Sequence, residues 1–304
     1  MAVVVAVVAI AATATFLSQR GSPSPSVARG VVRAVAAENQ YGSVLSQIGG
    51  RYVVVTSILS NPSSDPHTFE ASPAVAEAIS GASLVVQNGL GYDTFMNNVE
   101  SASPNRARLV IVAQNVLGLP ITTPNPHLWY WPRTMPLVAA AMAKDLTKLL
   151  PRRGSYFSTQ LAHFDASLNT WRDAIANFRA HYLGTAVAST EPVANYLLSA
   201  LGTKNLTPLA LQRDVMNGVD PAPEDVTVVE RALRHHLVKV FIYNEQVVDS
   251  LTNSLRQMAQ ANHVAVVGVY ETMPAPGYDF QSWMTAEVAA IEAAVAHHQS
   301  TEKL

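Results

Sequence analysis

The sequence predicts an α/β protein of two lobes, each a mostly parallel sheet flanked by helices, joined by one long helix. Three observations predict it. Short runs rich in Val, Ile and Leu alternate with stretches of helical period, as strands buried on both faces do. A stretch over residues 155–182 has no Gly or Pro, and its apolar positions Phe157, Leu161, Phe164, Leu168, Trp171, Ile175 and Phe178 recur every three or four residues. Beyond it the strand–helix alternation resumes, giving two halves of similar size.

Residues 2–17 form an apolar run broken only by Thr13 and Thr15, and a Ser/Pro-rich stretch follows over 18–26. Ala12-Thr13-Ala14 has the small-x-small form of a signal-peptidase site, although no Lys or Arg precedes the run. The run is slightly shorter than the roughly 20 residues that span a bilayer comfortably. Residues 1–26 are therefore expected to be a signal peptide or membrane anchor plus linker, placing the rest outside the cytoplasm as a secreted, periplasmic or membrane-anchored protein.

The first lobe is expected over 27–154, with strands at 31–36, 52–59, 84–87 and 109–112. Helices are expected near 40–48, 74–80, 94–99 and 135–150, the second capped by Ser72 with Pro73 in its first turn. Residues 155–183 make the linking helix; about 28 helical residues would span roughly 42 Å, more than one lobe needs. The second lobe, 184–304, carries expected strands at 185–189, 237–243 and 264–270 and helices at 193–201, 226–236, 247–261 and 280–297. Asp220-Pro221-Ala222-Pro223 is a stiff turn before the helix that begins near Glu224.

Composition narrows the function. The chain of 304 residues is 49% hydrophobic and 14% charged, so it folds around a substantial core. Its net charge is −2 and it has no basic run, which argues against a nucleic-acid partner. With no cysteine there are no disulfides, thiolate zinc sites or lipid-modified cysteine anchor.

Four side chains fall at the carboxyl ends of predicted strands, where open α/β sheets bind ligands. His67 follows the second strand, His127 lies in the loop after the fourth, Glu191 comes just past 185–189, and Glu271 directly follows 264–270. Pro66 and Pro126 precede the two histidines and stiffen their loops. Two imidazoles and two carboxylates suit Mn²⁺, Fe²⁺ or Zn²⁺, and the carboxylates neutralise a divalent ion. With all four ligands from protein, little room remains for a reactive water, which favours holding the ion over catalysis. Singly, each residue has an ordinary alternative: a loop histidine, or a glutamate that starts a helix. His235-His236 point about 100° apart on a helix and do not share an ion. Trp129, Tyr130 and Trp131 either wall the cleft beside His127 or simply pack.

At these residues the chain resembles the metal-binding solute-binding proteins of ABC transporters, the zinc and manganese receptors with a rigid linking helix. The likeness rests on Asp65-Pro66-His67-Thr68-Phe69-Glu70 and Asn125-Pro126-His127-Leu128-Trp129-Tyr130. Val215-Met216-Asn217, Asp220-Pro221-Ala222-Pro223-Glu224-Asp225-Val226, Tyr243-Asn244-Glu245-Gln246 and Glu271-Thr272-Met273-Pro274 support it. The resemblance implies a monomer that clamps Zn²⁺ or Mn²⁺ between its lobes and delivers it to an ABC permease. His67 and His127 match the family's first two ligands. Glu191 stands where zinc members often carry His and manganese members Glu, and Glu271 where many carry Asp; Asp279 is the substitute if the alignment shifts. The His-rich loop of some zinc receptors is missing, since residues 118–125 hold no His. That and Glu191 lean the expectation toward manganese, although the Irving–Williams order favours Zn²⁺ at an isolated site. The alternatives are a zinc hydrolase, with His67, His127 and Glu191 holding the metal and Glu271 as base, and a surface adhesin with a structural metal. No HExxH helix supports the former.

Overall fold

In the computed structural model, described over residues 30–62, 69–274 and 276–304, the chain builds two four-stranded parallel sheets. The opening apolar run, with its expected signal or anchor, and His67 lie outside the described residues. The first sheet holds β1 (Val32–Glu38), β2 (Val53–Leu59), β3 (Leu84–Gln87) and β4 (Leu109–Val112) in the order β2-β1-β3-β4. The second holds β5 (Ala186–Ser189), β6 (Lys204–Asn205), β7 (Val240–Asn244) and β8 (Ala265–Val269) in the order β6-β5-β7-β8. Every pairing is parallel. β7 and β8 are buried along their whole length, which is why their sequences are continuously apolar rather than alternating.

The helices of the first half are α1 (Asn39–Gly49), α2 (Pro73–Ser80), α3 (Thr94–Ala102), α4 (Ala113–Val116) and α5 (Thr134–Leu149). Those of the second are α8 (Asn195–Leu201), α9 (Leu209–Met216), α10 (Pro223–Arg234), α11 (Ser250–Ala261) and α12 (Phe280–His297). The two sheets share one strand order, so each has its switch point between its first and third strands, β1 and β3 in one, β5 and β7 in the other. Crevices outside the carboxyl ends of the strands open there.

The predicted connecting helix forms as two pieces, α6 (Gly154–Ser167) and α7 (Asn169–Tyr182), with Leu168 between them. The break has a local cause. The Ser167 hydroxyl donates to the carbonyl of Phe164 at 2.7 Å, and the Arg172 guanidinium donates to the carbonyl of Asp165 at 3.0 Å. The Leu168 N–H turns to Asp165 at 3.3 Å, a tighter three-residue step. Leu168 itself stays near helical geometry, φ −75 and ψ −9. α6 packs on α1 and α5, α7 on α12 and α8, so the break falls where the chain passes from one half to the other.

One apolar core reaches into both halves, joining Val35, Leu45 and Phe157 to Trp171, Val267 and Trp283. A second, smaller one lies under α10 and α11 around Phe241 and Val266. After α12 the chain returns along β8, where Thr301 pairs with Val267. Gly268 permits this approach: a Cβ there would meet the Glu302 carbonyl oxygen at 1.9 Å. The tail so covers an edge that would otherwise be open.

Candidate metal centre

His127, Glu191 and Glu271 are carried to one place by three different connections. His127 stands at the mouth of a 3₁₀ turn, Leu128–Tyr130, beyond β4 and α4. Glu191 comes two residues after β5 and Glu271 two after β8, both at strand carboxyl ends. All three are buried, as is Asn244 at the end of β7.

His127 meets Glu271 directly, Nε2 to Oε2 at 3.2 Å. Its Nδ1 lies 2.8 Å from Oδ1 of Asn125, which also accepts from the His127 backbone N–H at 3.0 Å. The Asn125 amide cannot be turned around, because its Nδ2 donates to the Pro192 carbonyl at 2.9 Å. Nδ1 therefore carries the proton, and in the neutral ring the Nε2 lone pair faces Glu271. That is the tautomer a metal-binding imidazole needs, held by the outer-sphere partner such ligands typically have.

Asn244 ties the carboxylates together. Its Nδ2 donates to Oε1 of Glu271 at 2.8 Å and to Oε1 of Glu191 at 3.1 Å. Two buried carboxylates so close are relieved by a proton on one of them, a protonated imidazole or a cation between them. The donor set thus fits a divalent transition metal. Among the described residues no three His, Asp or Glu side chains already stand together as a metal cluster. What the structure presents is the His127–Glu271 pair with Glu191 bridged to it.

Amide side chains from both halves hold the Glu271 segment. Gln246 Oε1 accepts from the N–H groups of Glu271 and Thr272 at 2.6 and 2.9 Å. From the start of α1, Gln40 donates to the Glu271 carbonyl at 3.1 Å, and Asn39 makes a two-way bond with the Met273 backbone at 2.8 Å each way. Tyr130 completes the tie: its hydroxyl donates to the Tyr270 carbonyl or to Glu287 Oε1 and accepts from the Tyr270 N–H, at 3.0, 3.1 and 3.2 Å. Trp283 donates to the same Glu287 oxygen at 2.9 Å. Burial pushes the Glu287 carboxyl up to about 8, against these two donors.

Behind His127 the loop hangs on Asn88, whose Nδ2 donates to the Pro126 carbonyl at 2.8 Å. Asp93 in turn accepts from the N–H groups of Asn88 and Gly89, and burial raises its carboxyl to about 6. Glu38 beside it is pushed well above the usual carboxylate range by burial and then by the Asp93 charge. Tyr92 and Trp129 stand edge-on to the His127 ring at 5.8 and 5.4 Å between centroids, so part of the predicted aromatic cluster does wall the histidine. Trp131 instead stacks on Tyr196 at 5.2 Å.

The structure therefore brings together three of the four residues expected from the sequence; the fourth, His67, lies outside the described residues. Asp279 is engaged elsewhere, its carboxylate capping α12 through the Ser282 N–H at 2.9 Å in a reciprocal capping box. The sequence marks none of Asn125, Asn244, Gln246 and Asn39 as a site residue, and Tyr130 only as part of the aromatic cluster beside His127. Asn125, Tyr130, Asn244 and Gln246 stood inside the quoted motifs, but an amide or phenol carries no ligand signal until tertiary contacts show what it holds.

Comparison with known proteins gives a consistent picture. The family described as "Zinc-uptake complex component A periplasmic" matches residues 34–294. A "Putative metal-binding protein" of Thermotoga maritima is 26% identical over 173 residues, 56% of this chain and 61% of that protein. The "Zinc-binding protein TroA" of Treponema pallidum is 27% identical over 116 residues, 36% of this chain and 38% of that protein. The chain thus spans less than two thirds of both curated relatives. The solved structure of the Treponema TroA superposes with a TM-score of 0.73 at 18% identity, covering 89% of this chain and all of that one, 100%. The Mn²⁺ complex of the binding protein FpvC from Pseudomonas aeruginosa gives 0.70 at 19% identity, covering 87% and 98%. These two share the fold.

Proposed function

The chain belongs to the family of periplasmic zinc-uptake components, and from that premise we propose that it is an extracytoplasmic receptor for a divalent transition metal, Zn²⁺ or Mn²⁺. His127, Glu191 and Glu271, together with His67, hold the ion between the two sheets. The chain acts as a monomer, performs no chemistry on its cargo, and hands it to the permease of an ABC importer.

One observation carries the reading: a tautomer-fixed imidazole faces a buried carboxylate at 3.2 Å, with a second carboxylate tied in by Asn244. Relatives described as binding zinc and manganese support the choice of ions. Domain limits of 27–154, 155–183 and 184–304 fit the two sheets and the α6–α7 connection.

The test is metal content of the full chain purified without added metal, followed by competitive titration with Zn²⁺ and Mn²⁺ between about pH 5 and 8. One ion per chain is expected, bound more weakly as protons compete for the ligands. Binding that survives His67→Ala together with His127→Ala would show that the ion sits elsewhere.

A further inference from the structure

The amino end of the first sheet, opposite the strand ends that lead to the metal centre, is rich in arginine. Arg33 stands near the start of β1, and Arg51 in a 3₁₀ turn, Gly50–Tyr52, that leads into β2. Arg152 and Arg153 lie in a second such turn, Pro151–Arg153, where α5 passes into α6. All four are exposed. Tyr52 draws the two turns together: the Arg51 and Arg153 guanidiniums sit 5.2 and 4.7 Å from the centre of its ring, and Tyr156 meets it edge-on at 4.9 Å. Stacking on a ring steadies a guanidinium and leaves most of its N–H fork for an oxyanion. No carboxylate answers these cations. Among the described residues the ion pairs of Lys and Arg are Lys148–Asp145, Arg172–Asp165, Arg234–Glu230 and Arg256–Glu302. The chain also enters the fold at this end, since β1 begins at Val32, and no Asp or Glu precedes Glu38.

We propose that this face docks on an anionic phospholipid surface, its guanidiniums meeting the lipid phosphates. The inference goes beyond the metal-receptor reading and shares with it only the extracytoplasmic location. Charge and point of entry select the partner. Four unpaired cations stand together in a chain of net charge −2, and guanidinium forks match phosphate oxygens. Residues 18–31 alone separate β1 from the apolar run over 2–17, the segment expected to meet a membrane. The surroundings also suit a lipid interface better than a nucleic-acid backbone. Val54, in register with Arg33, is 59% exposed, and Tyr52 and Tyr156 are half-buried. Each arginine near such a surface strengthens binding about fivefold, so four give a reversible hold that a tether would reinforce. Docked this way, the carboxyl ends of the first sheet point away from the lipid, in an orientation for capture that the chain leaves in order to deliver its ion.

The test is flotation of the full chain with vesicles of phosphatidylglycerol or of phosphatidylcholine, at about 50 and 500 mM salt. Affinity for phosphatidylglycerol should exceed that for phosphatidylcholine, and the excess should vanish at high salt; insertion of the apolar run alone would ignore both lipid charge and salt. Arg51→Gln with Arg153→Gln should cut the excess about tenfold or more. Arg152→Gln, which leaves the Tyr52 stack intact, should cut it about fivefold and serves should the pair disturb the turns. Arg231→Gln with Arg234→Gln, on α10 in the other half, should leave it unchanged. Metal titration of the same variants should match the wild type, so a failure of the receptor reading would show there and not in the flotation. Equal affinity for the two lipids, or an equal loss from both pairs of substitutions, would overturn the proposal. So would release by millimolar inorganic phosphate, or binding of duplex DNA as tight as that of the vesicles.

Discussion

The side chain that decides the geometry of the centre is Asn125, although it binds no ion. Its Oδ1 accepts a hydrogen bond from His127 Nδ1 at 2.8 Å, and its Nδ2 donates to the Pro192 carbonyl at 2.9 Å. Asn125→Ala should leave the ring free to change tautomer and lower metal affinity about 10–100-fold, read by competition titration; an affinity equal to the wild type would remove Asn125 from the account. That His127, Glu191 and Glu271 would meet was legible in the sequence, because each follows an apolar run that ends clearly. Asn125 and Asn244 were not legible as site residues. An amide matters here through its two ends, and which neighbours those ends meet is fixed only when β5, β7 and the His127 loop come together.

Among the elements, the 3₁₀ turn Leu128–Tyr130 and helix α12 carry the tie between the halves. Tyr130 stands three residues after His127 and bonds Tyr270, the neighbour of Glu271, as well as Glu287 in α12. Tyr130→Phe should cost about 1–3 kcal/mol, since it strips partners from a buried N–H and a buried carboxyl. Urea unfolding measures the loss, and faster metal release should accompany it. Glu287 adds a pH dependence. Its carboxyl is raised from 4.5 to about 8, so between those values the unfolded chain loses the proton and the folded one keeps it. This contribution is fully present below about 4.5 and is lost as pH rises toward 8, by up to about 1.4 kcal/mol per unit. Glu287→Gln should therefore unfold with a urea midpoint that falls less from pH 5 to pH 8 than the wild type's. An equal fall would mean that Glu287 ionises in the fold as it does in water.

The same scale shows where sequence reading stops. The runs at 84–87 and 109–112 form β3 and β4 at the expected bounds, because both are short β-branched and apolar runs; β3 is buried throughout, whereas β4 fully buries only Ile111 and leaves Val110 exposed. β6 escaped, being only Lys204–Asn205 at a sheet edge. α9 escaped as well: Leu209–Met216 is eight residues without a capping side chain at its start. The break at Leu168 escaped because Ser167 and Arg172 act through hydrogen bonds to carbonyls, which leave the 3.6-residue apolar period intact.

For the whole molecule, a core that runs through both halves predicts a receptor that stays folded without its cargo and moves little on binding. Chelation should leave the far-ultraviolet dichroism unchanged. Saturating metal should raise the melting temperature by mass action, equivalent to about 2.7 kcal/mol at a hundredfold excess over Kd. Global unfolding on chelation would instead favour a structural metal. Two sheets of one strand order, with His127 beyond β4 bonded to Glu271 beyond β8, make the centre a property of the assembled chain rather than of either half.

Anomalous diffraction at the zinc edge from crystals of the zinc-loaded chain tests that claim most directly. One peak is expected, within about 2.0–2.2 Å of His127 Nε2, one oxygen each of Glu191 and Glu271, and the His67 ring. A peak at Asp279, or one that leaves out Glu191 and Glu271, would contradict the assignment of this centre.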